Sequence, residues 1–156
     1  MFTMAKPLAV VAVAWLAVYP FPAHACFAEG LAAFDGGDFK GAFRAWRPLA
    51  EAGDAEAQIA LAELYRYGQG VVANYTQAFI WYRRAAESGH PVAQLNLGEI
   101  YLKGQGVARD PVAAYVWLSR AAGQGRVWAE ARRRALLHEL TAVQLAEAEA
   151  WLDERP

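Results

Sequence analysis

Thiol and imidazole chemistry has little to work with in this chain of 156 residues: one cysteine, three histidines and two methionines. A single cysteine, Cys26, closes no internal disulfide and builds no cysteine-based zinc site. Charge of one sign is also missing. Fifteen Lys and Arg face sixteen Asp and Glu, a formal charge of −1. No strong field draws DNA, RNA or anionic lipid, which argues against an electrostatic nucleic-acid binder. A membrane-length apolar run is absent too. The longest near the start, Leu8 to Val18, has eleven residues. That is about 16 Å of helix against a hydrocarbon core of about 30 Å. What is plentiful is apolar surface: 56% of residues are hydrophobic and 13% aromatic, enough for a core and too much for a disordered chain.

The N-terminal residues read as an export signal. Lys6 precedes the apolar run, prolines at 20 and 22 end it, and Ala23-His24-Ala25 follows as a small-x-small cleavage site. Cleavage after Ala25 makes Cys26 the first residue. Two readings stand. Cys26 is an ordinary free thiol at the new terminus, or it is the lipid-modified residue of a bacterial lipoprotein. Ala23, where lipoprotein signals favour Leu, fits the second less well. On either reading 1–25 is leader and 26–156 one domain.

The centre of the chain repeats itself at an offset of 36 residues without a gap. Ala57, Gln58, Leu61, Glu63 and Tyr65 return as Ala93, Gln94, Leu97, Glu99 and Tyr101. Gly68-Gln69-Gly70-Val71 returns as Gly104-Gln105-Gly106-Val107. Ala78, Trp81, Arg84, Ala85, Ala86 and Gly89 return as Ala114, Trp117, Arg120, Ala121, Ala122 and Gly125. Each unit reads as two helices. Ala57, Leu61, Leu64 and Tyr65 lie at 0, +4, +7 and +8, one helical face, and Gly68 stops the helix. Asn74 opens the second helix, with Gln77 completing a capping-box pattern; one unit later Asp110-Pro111 supplies a cap and an N1 proline. Val71 is expected to plug the loop into the core.

These residues resemble the Sel-one-like repeat, a relative of the tetratricopeptide repeat. The likeness lies in Ala-Gln-x-x-Leu at Ala57 to Leu61, Leu64-Tyr65, the Gly-x-Gly-Val loop, the capping Asn74 or Asp110, and Ala-Ala-x-x-Gly. Ala62 departs from the pattern, which has glycine there as Gly98 does. The resemblance implies an all-α, right-handed solenoid of antiparallel helix pairs, about eight helices including end caps. Its parts are a partial first unit (26–53), repeats at 54–89 and 90–125, and C-terminal cap helices (126–156). Val127 to Glu139 reads as one helix, and Thr141-x-x-Gln144 as the capping box of the last.

Catalytic constellations are not apparent. Ser88 and His90 flank a helix stop, and the same positions one unit later hold Gln124 and Arg126. His138 sits among leucines as a part-buried side chain. The Gly68-x-Gly70 loop follows a helix and lacks Gly-Lys-Ser/Thr, so it reads as a helix stop, not a phosphate loop. No metal spacing appears and no cofactor is expected. Arg132, Arg133 and Arg134 point 100° apart on a helix and read as a solvated face with Glu130 pairing to Arg134. Trp46, Trp81, Trp117, Tyr65 and Tyr101 read as core.

Repeat solenoids hold other proteins on an extended concave surface. By the resemblance, the first helix of each unit lines that face. This gives candidate binding residues Ile59, Glu63, Arg66 and Tyr67, then Leu95, Asn96, Glu99, Leu102 and Lys103. The expectation is a non-enzymatic adaptor in the bacterial periplasm or envelope, binding a protein partner and no nucleic acid, with a possible membrane tether through Cys26. The alternative is a cell-wall-ligand protein, binding or hydrolysing peptidoglycan or a β-lactam. Relatives linked to that activity pair cysteines within each repeat, and this chain has none to pair.

Overall fold

A computed structural model describes residues 23–154, and of Ala23 to Ala25 the backbone only. Most of the leader assignment, 1–25, therefore lies outside the described residues. Among the described residues eight helices follow one another: α1 (Ala23–Asp35), α2 (Phe39–Glu51), α3 (Ala55–Tyr67), α4 (Tyr75–Glu87), α5 (Pro91–Lys103), α6 (Pro111–Gly123), α7 (Val127–Leu136) and α8 (Ala142–Glu154). Among the described residues there are no strands. Each helix packs on the next from α1 to α7, which is the expected solenoid of antiparallel pairs.

Side-chain caps explain the starts. Asp38, Asp54, Asn74 and Asp110 each accept a first-turn backbone N–H of the helix that follows. The Asn74 box is half made. Gln77 N–H donates to Asn74 Oδ1 at 3.0 Å, while the Asn74 N–H donates to Tyr65 O at 2.8 Å instead. That last bond clamps each hairpin: Asp38 N–H to Ala33 O and Asp110 N–H to Tyr101 O repeat it. The Thr141 box is complete, with Gln144 Oε1 accepting the Thr141 N–H and Thr141 Oγ1 accepting the Gln144 N–H.

The clamp shows that α1–α2 is a whole hairpin with its loop cut by four residues, from 68–74 to 36–38. A small residue on each first helix then faces a large one on the second: Gly30 against Trp46, Gly98 against Leu118, with Ala62 and Tyr82 at the same places between them. Trp46 thus holds the place of Tyr82 and Leu118, not that of Trp81 and Trp117. Between units, Phe43 meets Tyr65 edge-on at 5.7 Å, and Phe79 meets Tyr101 the same way at 5.6 Å. Arg84 covers Trp81 at 4.7 Å and Arg120 covers Trp117 at 5.0 Å. Val71 and Val107 pack on the core as expected.

The C-terminus leaves the pattern. The helix expected over 127–139 ends at Leu136, where bonds from Leu137, His138 and Glu139 tighten to three-residue spacing. His138 is exposed, not part-buried. The last helix, α8, packs mainly on α6, not as a hairpin partner of α7. Two sets of residues explain this. In the place of Leu61/Leu97 and Ala62/Gly98, α7 carries Arg133 and Arg134, so no second helix can seat there. The outer side of α2 shows Lys40, Arg44 and Arg47; of α4, Thr76, Ile80 and Arg83; of α6, Val112, Val116 and Ser119. Only the α6 set is apolar enough to need covering, and Leu145, Ala148 and Leu152 cover it.

Candidate functional site

The first helices α3 and α5 bring the candidate residues onto one face, which α7 continues. Ile59, Leu95 and Leu102 are half-buried and pack on the core, so they form a floor. Tyr67 stands 62% exposed, with the Arg66 guanidinium 5.3 Å from its ring centre. Lys103 is exposed in the same place one unit on. Asn96 donates Nδ2 to Val92 O at 3.0 Å, leaving its carbonyl oxygen for a ligand.

Glu63 and Glu99 share one register position and have different partners. Glu63 accepts a short hydrogen bond from the buried Tyr82 hydroxyl. Burial, then the negative Glu63, pushes the Tyr82 hydroxyl far above the ordinary phenol range, so it stays a donor. The place of Tyr82 is taken in the next unit by Leu118, which has no hydroxyl. Glu99 turns to cations instead: Arg132 Nε at 2.7 Å and Lys103 Nζ at 3.5 Å. Glu63 is thus tied to the core, while Glu99 lies in a surface network.

Arg132 was not among the sequence candidates, and neither was any other α7 residue. The signal was present: the same offset of 36 carries Ala60 to Asn96 and then to Arg132, and Ile59 to Leu95 and then to Ala131. The arginine run itself is spent on ion pairs. Arg133 and Arg134 both hold Glu130, and their hydrogen bonds keep its carboxyl down at about 2. The expected Glu130–Arg134 pair is there at 2.7 Å.

The other candidates do not assemble. Ser88 Oγ donates to Ala85 O, away from His90, whose Nε2 meets Glu56 at 3.0 Å. Cys26 is a half-buried free thiol on α1. Among the described residues no group of three His, Cys, Asp or Glu is placed to hold a metal. A cleft of about 410 Å³ between α6, α7 and α8 is lined by Tyr115, Ser119, Glu130, Arg133 and Glu149 among others. It exists because α8 left the α7 flank. What the first-helix face offers is hydrogen bonds, charge and exposed aromatic surface, the means of binding.

The Sel1 repeat family model matches residues 55–90 and 91–125. A Sel1 repeat protein from Oxalobacter formigenes is 39% identical, with a TM-score of 0.67, over 73% of this chain and 89% of that one. The chain belongs to the Sel1 repeat family. The protective antigen c5321 of uropathogenic Escherichia coli, which displays this fold, is 34% identical with a TM-score of 0.80. The match covers 86% of this chain and 30% of the antigen, so this chain spans about a third of that protein. No curated protein matches the chain. Members of this family generally bind other proteins as non-catalytic scaffolds. The model leaves out α1–α2, whose shortened loop lacks the Gly-x-Gly-Val signature.

Proposed function

We propose that this Sel1 repeat protein is an exported adaptor that holds a partner protein on the face built by α3, α5 and α7, in the periplasm or envelope. One observation carries the reading. Several core positions hold their chemistry across α3, α5 and α7, as in Ala57/Ala93/Ala129 and Leu64/Ile100/Leu136, all buried. On the first-helix face several positions change theirs, Glu56/Val92/Trp128, Ala60/Asn96/Arg132 and Tyr67/Lys103, around a retained Glu63/Glu99. A constant core beneath a changing face is how a repeat scaffold composes a specific surface. Candidate residues from Ile59 to Lys103 then divide into the apolar floor, the polar readers Arg66, Tyr67, Asn96, Glu99 and Lys103, and Glu63, which is held by the Tyr82 hydroxyl. Export rests on the pattern of residues 1–25, and tethering on Cys26. The intact mass of the mature N-terminus separates a lipidated Cys26 from a free one.

A photo-crosslinking side chain placed at Tyr67 or Lys103 in the living cell tests the face, with Arg44 on the outer side of α2 as control. A discrete protein adduct from the first two and not from Arg44 is expected. Adducts from Arg44 alone overturn the face. None from any site, with saturable binding of a peptidoglycan fragment by purified protein, overturns the adaptor in favour of a cell-wall ligand.

A further inference from the structure

The most exposed large apolar side chains near this face belong to α7. Val127 is 80% exposed and Trp128 79%. Exposed apolar side chains that adjoin one another form the kind of patch through which proteins make contact, and Trp is a frequent anchor of such contacts. Ala131 and Ala135 continue from Trp128 at +3 and +7, and both are exposed. The three residues form one helical stripe, about 10 Å long, at the rise of an α-helix. Two alanines let another backbone come close, and the indole offers a large anchor beside them.

Charge says what kind of backbone. From Arg126 to Leu136 the chain carries Arg126, Arg132, Arg133 and Arg134 against Glu130 alone, a net of +3. Glu99 beside Arg132 is shared with Lys103, so that cluster keeps a surplus of one positive charge. We infer that the α7 end of the first-helix face docks an amphipathic helix of a partner protein whose apolar stripe is flanked by carboxylates. The inference rests on the adaptor reading and names the partner's chemistry. The apolar stripe would lie along Trp128, Ala131 and Ala135, and the carboxylates beside Arg126 and Arg132. A second copy of the chain has one acidic helix to offer, α8, with Glu147, Glu149, Asp153 and Glu154 and no cation. Its stripe of Leu145, Ala148 and Leu152 is already used on α6, and its exposed Val143 and Trp151 stand four residues either side of Glu147, so it shows no continuous apolar stripe. The occupant is therefore another protein.

Two stapled helical peptides with one apolar stripe, flanked by Glu in one and by Lys in the other, are titrated against the full chain by calorimetry. The acidic peptide is expected to bind at least tenfold tighter, and more weakly as salt rises. Trp128→Ala should cost it tenfold or more, with Trp128→Phe within threefold of native; circular dichroism reports that the fold is kept. Equal affinity for both peptides, no binding of either, or indifference to Trp128→Ala overturns the inference. So does a dimer in sedimentation that dissociates in Trp128→Ala. Acidic-peptide binding lost in Tyr67→Ala/Lys103→Glu but kept in Trp128→Ala overturns the α7 site and leaves the adaptor reading standing. Binding insensitive to both sets overturns the face itself.

Discussion

Gln58 and Gln94 hold one place in successive units and differ by a hydrogen bond. Both donate Nε2 to a carbonyl of the preceding helix, Ala50 O at 3.0 Å and Ala86 O at 3.3 Å. Gln94 Oε1 also accepts from Gln124 at 2.8 Å, whereas Gln58 Oε1 is buried without a partner. The residue standing where Gln124 would reach it is Ser88. Ser88→Gln should therefore stabilise the chain by about 1 kcal/mol, read as a higher urea midpoint at unchanged slope. No gain would show that Gln58 is already satisfied. Glu130, at the same place on α7, is an ion-pair residue. Its carboxyl is lowered from 4.5 to about 2, first by the Arg133 hydrogen bond and then by Arg134. A lowered folded value gives stability that is present above about pH 4.5 and lost as pH falls toward about 2. The melting-temperature gap between native protein and Glu130→Gln should accordingly close on acidification across that window. A gap independent of pH would break the assignment. Much of this was legible in the sequence as columns at offset 36. What each column bonds to was not, because Glu63 meets Tyr82 across a hairpin whose exact register no periodicity supplies.

Helices meet in this solenoid where one side is small. A methyl group added at Gly98 would stand 2.7 Å from Leu118 Cγ. Leu118 can yield, so Gly98→Ala should cost about 1–3 kcal/mol, with part recovered in Gly98→Ala/Leu118→Val. Gly106 is a harder case. Its φ is +75°, and a methyl there would run into the backbone of Tyr75 and Thr76, which cannot turn aside. Gly106→Ala should be the more damaging of the two in thermal unfolding, and a smaller loss than Gly98→Ala would contradict the close approach of loop and helix. The stop of α3 and the starts of α4, α6 and α8 were readable from glycine and capping residues. The first unit, read as partial, is a whole hairpin, and α7 was read three residues too long. Its continuation Leu137-His138-Glu139 has helical composition, and only the tightened bonds at the start of the α8 crossing stop it. The path of α8 was present as the outer stripe of α6, where Val112 and Val116 replace the Lys40 and Arg44 of α2. It needed the hairpin geometry before that stripe could be seen as uncovered.

Charge closes the stack of hairpins at both ends. The place of the buried Leu61 is taken on α1 by the exposed Glu29, and that of Leu97 on α7 by Arg133. Arg133→Leu/Arg134→Ala restores the inner-unit residues at the last first helix. The variant should self-associate through that flank, seen as a mass increase in light scattering behind a sizing column. A strictly monomeric variant would mean that α8, and not the arginines, keeps the end closed. Between the ends every junction is alike, with Gly53, Gly89 and Gly125 spaced by 36 residues and all at positive φ. A tandem duplication of one such stretch would therefore enter in frame, join two compatible surfaces and leave the first hairpin and the α7 and α8 end untouched. Lineages carrying this protein can change how long a partner segment it spans in a single recombination event, with no point substitution in the core, and deletion reverses the step as easily.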